Sequence, residues 1–193
     1  MTNLFKLYIT VTKIRTIQLM LNVLRGEPDI ESLKKLGLKV GINCKFQEEL
    51  KIDSSFCWLI DIGDNVTIAP KVIILAHDAS MKNHLGYVKI GKVKIGNNVF
   101  IGAGSIILPG VSIGNGTIIG AGSVVTKNIP ENVVAAGNPI RILRSLNDFL
   151  DSHHDLMKHS PLFGSEFTLI KNVSNEKKLE MNKKMEDSCG YIV

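Results

Sequence analysis

The chain of 193 residues has only three cysteines, one tryptophan and an aromatic content of 6%. The cysteines, Cys44, Cys57 and Cys189, are odd in number and lack the paired spacing of a zinc site. That argues against a disulfide framework and for a reducing, cytoplasmic compartment. No uncharged apolar run is long enough for a spanning helix, and no small-residue cleavage site follows the first apolar segment, so neither a membrane span nor a signal peptide is expected. The formal net charge of +5 is diffuse. It suits an anionic small ligand or an acidic surface, and without an aromatic-interleaved basic stripe nucleic acid is not an expected partner. Histidine is scarce too. Outside the tail only His77 and His84 occur, and the tail pair His153-His154 has no companions at metal-ligand spacing, so no metal is expected.

What the chain has is a beat of six. Aliphatic residues recur at Ile95, Ile101, Ile107, Ile113, Ile119 and Val125, with Val99, Ser105, Val111, Thr117, Ser123 and Ile129 four places after them. The same phase runs through Ile62, Ile68 and Ile74, and weaker hexads start at Val40 and Ile52. A period of six is neither a helix nor a simple alternating strand. It predicts an all-β solenoid, a parallel β-helix in which three hexads make a triangular coil of about 18 residues. The glycines after the anchors (Gly96, Gly102, Gly114, Gly120) are expected to serve the tight corners. Residues 76–89 break the beat with AHDASMKNHLGYVK, the sequence of a loop extruded from the solenoid.

This divides the chain into an N-terminal helical segment over 1–36, a β-helix over 37–139 and a C-terminal helix and extension over 140–193. Residues 1–25 carry aliphatics at helical spacing with interspersed Lys and Arg. Two readings are open: a cap over the end of the solenoid, or a basic amphipathic segment resting peripherally on the inner membrane surface. After Pro139 a short helix over 140–150 is expected. Residues 160–165 read as a turn-rich linker, and 175–187 as a charged, solvated helix.

Four segments in order, IGDNVTIAP (62–70), the histidine opening the loop at 77, IGNNVFIGAGSIILPGVSIG (95–114) and IIGAGSVVTKNIPENVVAAGNP (118–139), resemble the hexapeptide-repeat acyltransferases. Within that family the resemblance is specifically to the branch with galactoside, maltose and polysaccharide O-acetyltransferases. The resemblance spans about 37–144 and implies a left-handed coil, acetyl-CoA as acyl donor, a saccharide hydroxyl as acceptor, and a homotrimer with active sites between subunits. It also implies that His77 is the general base. A hydroxyl is a weak nucleophile, and an imidazole of pKa about 6.5 can take its proton as it attacks the thioester.

Asp78, Asp53 and Asp61 are all candidates to orient that histidine, and their spacing does not choose among them. Asp78 is carried as the catalytic candidate, while Asp53, His84 and Tyr87 are taken as acceptor-facing. The positions that match the family's donor-binding residues are Phe100, Ala103, Ala121, Thr126, Lys127, Arg141 and Arg144. Small side chains at Ala103 and Ala121 would let pantetheine approach the backbone, and the basic residues would meet its phosphates. Phe100 stands where relatives often carry Trp, and Ala103 where some carry Ser. The stretch before Ile60, FQEELKIDSSFCWL, departs from the pattern for simple galactosides, so the acceptor is read only as a saccharide, such as a cell-surface polysaccharide or its precursor. The competing readings are an amino-sugar N-acetyltransferase or xenobiotic acetyltransferase, a metalloprotein like the γ-type carbonic anhydrases, and a non-catalytic β-helix scaffold.

Overall fold

A computed structural model describes residues 29–193. The expectations for 1–25 and most of the 1–36 segment lie outside the described residues. From Lys39 on, strands of two to four residues wind into a prism with three parallel faces. The first face stacks β1 (Lys39–Val40), β4 (Ile60–Ile62), β9 (Val93–Ile95) and β12 (Ser112–Ile113). The second stacks β2 (Lys45–Phe46), β5 (Thr67–Ile68), β10 (Phe100–Ile101), β13 (Ile118–Ile119) and β15 (Val133–Ala136). The third stacks β3 (Lys51–Ile52), β6 (Ile73–Ile74), β11 (Ile106–Ile107) and β14 (Val124–Val125).

The period of six thus becomes a core. Every anchor from Ile62 to Val125 is buried, and so are the residues four places on, except after Ile74, where the hairpin begins at exposed Asp78. Each such aliphatic side chain withdrawn from water is worth roughly 1.5–3 kcal/mol. Where the second position is a hydroxyl, burial requires a partner. Ser105 Oγ donates to the Gly120 carbonyl (3.1 Å) and Thr117 Oγ1 to that of Pro130 (2.8 Å). A short helix, α1 (Ile30–Lys35), is capped by Asp29 and adds Leu33 to the same core.

The glycines after the anchors do not make the corners, which corrects the sequence expectation. The left-handed residue sits three places after the anchor at seven of the nine corners from Ile62 to Val125, as at Asn65, Asn98, Gly104 and Gly122. Gly102 is instead required by close approach: a Cβ there would lie 2.4 Å from the backbone nitrogen of Ala121 on the next coil.

Irregularities gather at one corner. Between the second face's anchors and those of either neighbour the step is always six residues, as in Ile62–Ile68–Ile74 and Ile113–Ile119–Val125. From the third face to the first it is ten between Ile52 and Ile62, and twenty-one between Ile74 and Ile95. It returns to six between Ile107 and Ile113, and shrinks to four between Val125 and Ile129. Residues 76–91 leave at this corner as a hairpin, with β7 (His77–Asp78) antiparallel to β8 (Lys89–Ile90) around the four-residue helix α2 (Lys82–Leu85).

At the far end the expected helix over 140–150 is replaced in its first half by a strand. β16 (Arg141–Ser145) runs back antiparallel along β15, and the helix α3 (Leu146–Met157) starts only after it. The open edge of β15 supplies unpaired backbone groups, and pairing them outweighs a helical spacing of Ile142, Leu143 and Leu146. The chain forms two compact units, one ending at Leu146 and the other Asn147–Val193. In the second, β17 (Leu162–Phe163) pairs with β18 (Tyr191–Ile192), and His153 Nδ1 meets the Tyr191 hydroxyl at 3.0 Å. The charged helix α4 (Asn175–Lys184) buries no residue.

Candidate active site

The corner with irregular steps carries the chemistry. Asp53 follows the anchor Ile52, and its amide N–H donates to the Ile74 carbonyl (2.9 Å), which fixes it against the coil that bears His77. Its side chain is 2% exposed. Oδ2 accepts from the Ala76 N–H (3.0 Å) and also meets Nδ1 of His77, while Oδ1 accepts from the Ser55 N–H (3.1 Å). Burial pushes this carboxyl's pKa up, but the hydrogen bonds from His77, Ala76 and Ser55 outweigh it, and the net shift is downward. Asp53 is therefore held as a carboxylate against the ring.

His77 is held from three sides. Asp53 engages Nδ1, the backbone pairs with Ile90 at the base of the hairpin, and the ring of Phe56 packs at 5.3 Å. The ring keeps a third of its surface open, and Nε2 makes no hydrogen bond among the described residues. An imidazole held at Nδ1 by a carboxylate presents Nε2 as a proton acceptor, and the resulting cation is stabilised where it forms.

The carboxylate that bonds His77 is Asp53 and not Asp78. The adjacent position points outward in the extended pair, and Asp78 accepts instead from the Ser80 N–H (2.9 Å) at the loop surface. Hydrogen bonding with Ser80 holds its pKa below the ordinary carboxylate value. Asp61 lies on β4, in register with Lys39 and Lys94. His84 and Tyr87 are exposed on the hairpin.

Sequence reading passed over Phe56 and Trp58. The longer step between Ile52 and Ile62 accommodates a single 3-10 turn, Cys57–Leu59, which Phe56 precedes and Trp58 centres. The ring centroids of Phe56 and Trp58 are 5.6 Å apart. A signal was present, because Ile52 and Ile62 are out of phase by four in a beat of six.

The donor-binding candidates fall into two groups. Thr126 and Lys127 are exposed at the His77 corner, two coils further on. Phe100 faces outward from the second face, and Ala103 and Ala121 stack at the corner after it, where the Gly122 N–H donates to the Ala103 carbonyl (2.8 Å). Arg141 and Arg144 are exposed on β16, at the end of that second face. Within one chain the third face separates these from His77. A shallow concavity of about 750 Å³ lies on the first face around Ile95 and Ile113, rimmed by Asp61, Lys94 and Asn115, and does not include His77. Among the described residues no group of three or more His, Cys, Asp or Glu is placed to hold a metal ion.

Comparison with known proteins agrees with this architecture. Residues 92–127 match the family model described as bacterial transferase hexapeptide (six repeats). Protein CapG of Staphylococcus aureus is 38% identical over 86% of this chain and 91% of its own length. The galactoside O-acetyltransferase of Lactococcus lactis is 38% identical over 66% of this chain and 72% of its own. A solved galactoside acetyltransferase in complex with coenzyme A superposes with a TM-score of 0.50 at 33% identity, covering 72% of this chain and 82% of that one. With its six-residue beat, its prism of parallel strands and these relatives, the chain belongs to the hexapeptide-repeat acyltransferases, whose coil is the left-handed parallel β-helix.

Proposed function

We propose that this protein transfers an acetyl group from acetyl-CoA to a hydroxyl of a saccharide, a cell-surface polysaccharide or its precursor. The observation that carries the reading is the Asp53–His77 pair with Nε2 left open. In this reading His77 Nε2 removes the hydroxyl proton as the sugar oxygen bonds to the thioester carbonyl carbon. Asp53 stabilises the imidazolium, and His77 then gives the proton to the departing sulfur as the carbon–sulfur bond breaks. The products are the O-acetyl ester and the free thiol.

Acetyl-CoA enters as a substrate, and the solved relative holds coenzyme A. The residues present fit such a donor. Ala103 and Ala121 expose backbone beside minimal side chains, where a narrow amide-bearing arm can lie, and Arg141, Arg144 and Lys127 offer donors for phosphates. The separation of Ala103, Ala121 and Arg141 from His77 supports a site built by two chains, His77 from one and the alanine corner from its neighbour. Cyclic three-fold symmetry closes such a contact. No helix among the described residues is long and apolar enough to cross a membrane. A cytoplasmic enzyme resting at the inner membrane face through 1–25 would reach lipid-linked sugars.

The test is thiol release from acetyl-CoA with a panel of sugar hydroxyls, amino sugars and small amine drugs, in wild type and His77→Ala. Sugar-dependent release that falls by about 10²–10⁴-fold in the variant, with acetyl-CoA binding intact, is expected. Release with amines alone would overturn the acceptor class. Near-normal turnover in the variant would overturn the base.

A further inference from the structure

We propose that Phe56 and Trp58 form an aromatic wall that holds the acceptor by the C–H face of a pyranose ring, with Trp58 as the residue that selects ring-shaped acceptors. The inference rests on the reading of His77 as the base. It starts from the ten-residue step between Ile52 and Ile62, whose extra residues stand on the coil next to His77. Three rings follow one another across the corner: His77 to Phe56 at 5.3 Å and 53°, then Phe56 to Trp58 at 5.6 Å and 59°.

The backbone of this turn is fixed. Cys57 between the two rings is fully buried, and the Leu59 N–H donates to the Phe56 carbonyl (2.9 Å). Trp58 Cβ sits so close to Gly37 that a Cβ at Gly37 would lie 2.8 Å away. Yet the Trp58 side chain, the largest the chain has, remains 53% exposed. An anchored backbone that keeps an indole in water, one ring away from a proton acceptor, forgoes apolar burial that a short turn of small residues would not need. Aromatic side chains present a flat apolar surface at low conformational cost. A pyranose has a matching face of C–H bonds and a rim of hydroxyls, one of which such stacking would bring toward Nε2. An acyclic polyol has no such face.

Because Trp58 is the sole tryptophan, its fluorescence reports directly on the wall. Titrating His77→Ala protein with methyl galactopyranoside and methyl glucopyranoside is expected to give a saturable change in emission with at least one of them, and none with glycerol. In active protein, Trp58→Ala should raise KM for the responding pyranoside about tenfold, the scale of one aromatic stacking contact, and leave KM for acetyl-CoA unchanged. Trp58→Phe should restore part of that loss. Invariant emission at pyranoside concentrations that saturate turnover would overturn the wall, as would an unchanged acceptor KM in a folded Trp58→Ala protein. Either result leaves the base reading standing if His77→Ala is inactive, whereas an active His77→Ala overturns that reading on its own.

Discussion

Asp53 is a buried carboxylate with three hydrogen bonds, and its ionisation is part of what holds the third face to the hairpin. Its pKa is depressed in the fold despite burial. Its contribution to stability is therefore fully present above the ordinary carboxylate value of about 3.9 and is lost as pH falls through the lower folded value. Melting temperatures measured from pH 6 down to pH 3 should show this acid loss in wild type, and Asp53→Asn should flatten it. The same variant should turn over about 10²–10⁴-fold more slowly, because a neutral amide cannot stabilise the imidazolium. The sequence exposed His77 as the residue that opens the break in the beat, and narrowed its partner to Asp53, Asp61 or Asp78 without choosing among them. Asp53 lies 24 positions earlier, and only the coil register, Ile52 on Ile74, puts the two side chains together.

Most strands of the coil are two residues long, so their stability comes from stacking and not from strand propensity. The anchors were legible because burial imposes their period directly. The glycines were legible in position but not in purpose, since their crowding comes from a coil 18 residues away. Gly102→Ala should cost about 1–3 kcal/mol, as its Cβ would meet backbone that cannot yield. Gly104→Ala has open space around its Cβ and should cost about 1 kcal/mol, through its positive φ of 69° alone. Denaturant midpoints would rank the two, and the reverse order would contradict the close-approach account. The strand β16 was illegible for a related reason: it pairs with an edge whose openness no local window contains.

At the scale of the whole molecule, the split between His77 and the alanine corner makes a sharp prediction. Neither His77→Ala nor Ala121→Trp should support turnover alone, yet co-expressed chains should recover a substantial fraction of it, because in the proposed two-chain site mixed trimers would contain intact sites. Activity of the mixture no greater than that of the two variants would place the whole site in one chain. Sedimentation should report a species of three chains in both variants. A chain ending at residue 146 should retain the β-sheet circular dichroism and cooperative melt of the first unit, since Asn147–Val193 packs as a unit of its own.

The uneven corner has a consequence for how this scaffold can be altered. Steps of ten, twenty-one, six and four residues all return the chain to the same first-face register. Insert length there is thus decoupled from the phase of every strand, as it is not at the other two corners. Replacing residues 79–87 with a tight turn should leave the melting temperature nearly unchanged. Longer segments grafted at the same place should be accepted as readily, which makes this corner a socket where the chain can gain or lose residues without disturbing the stack.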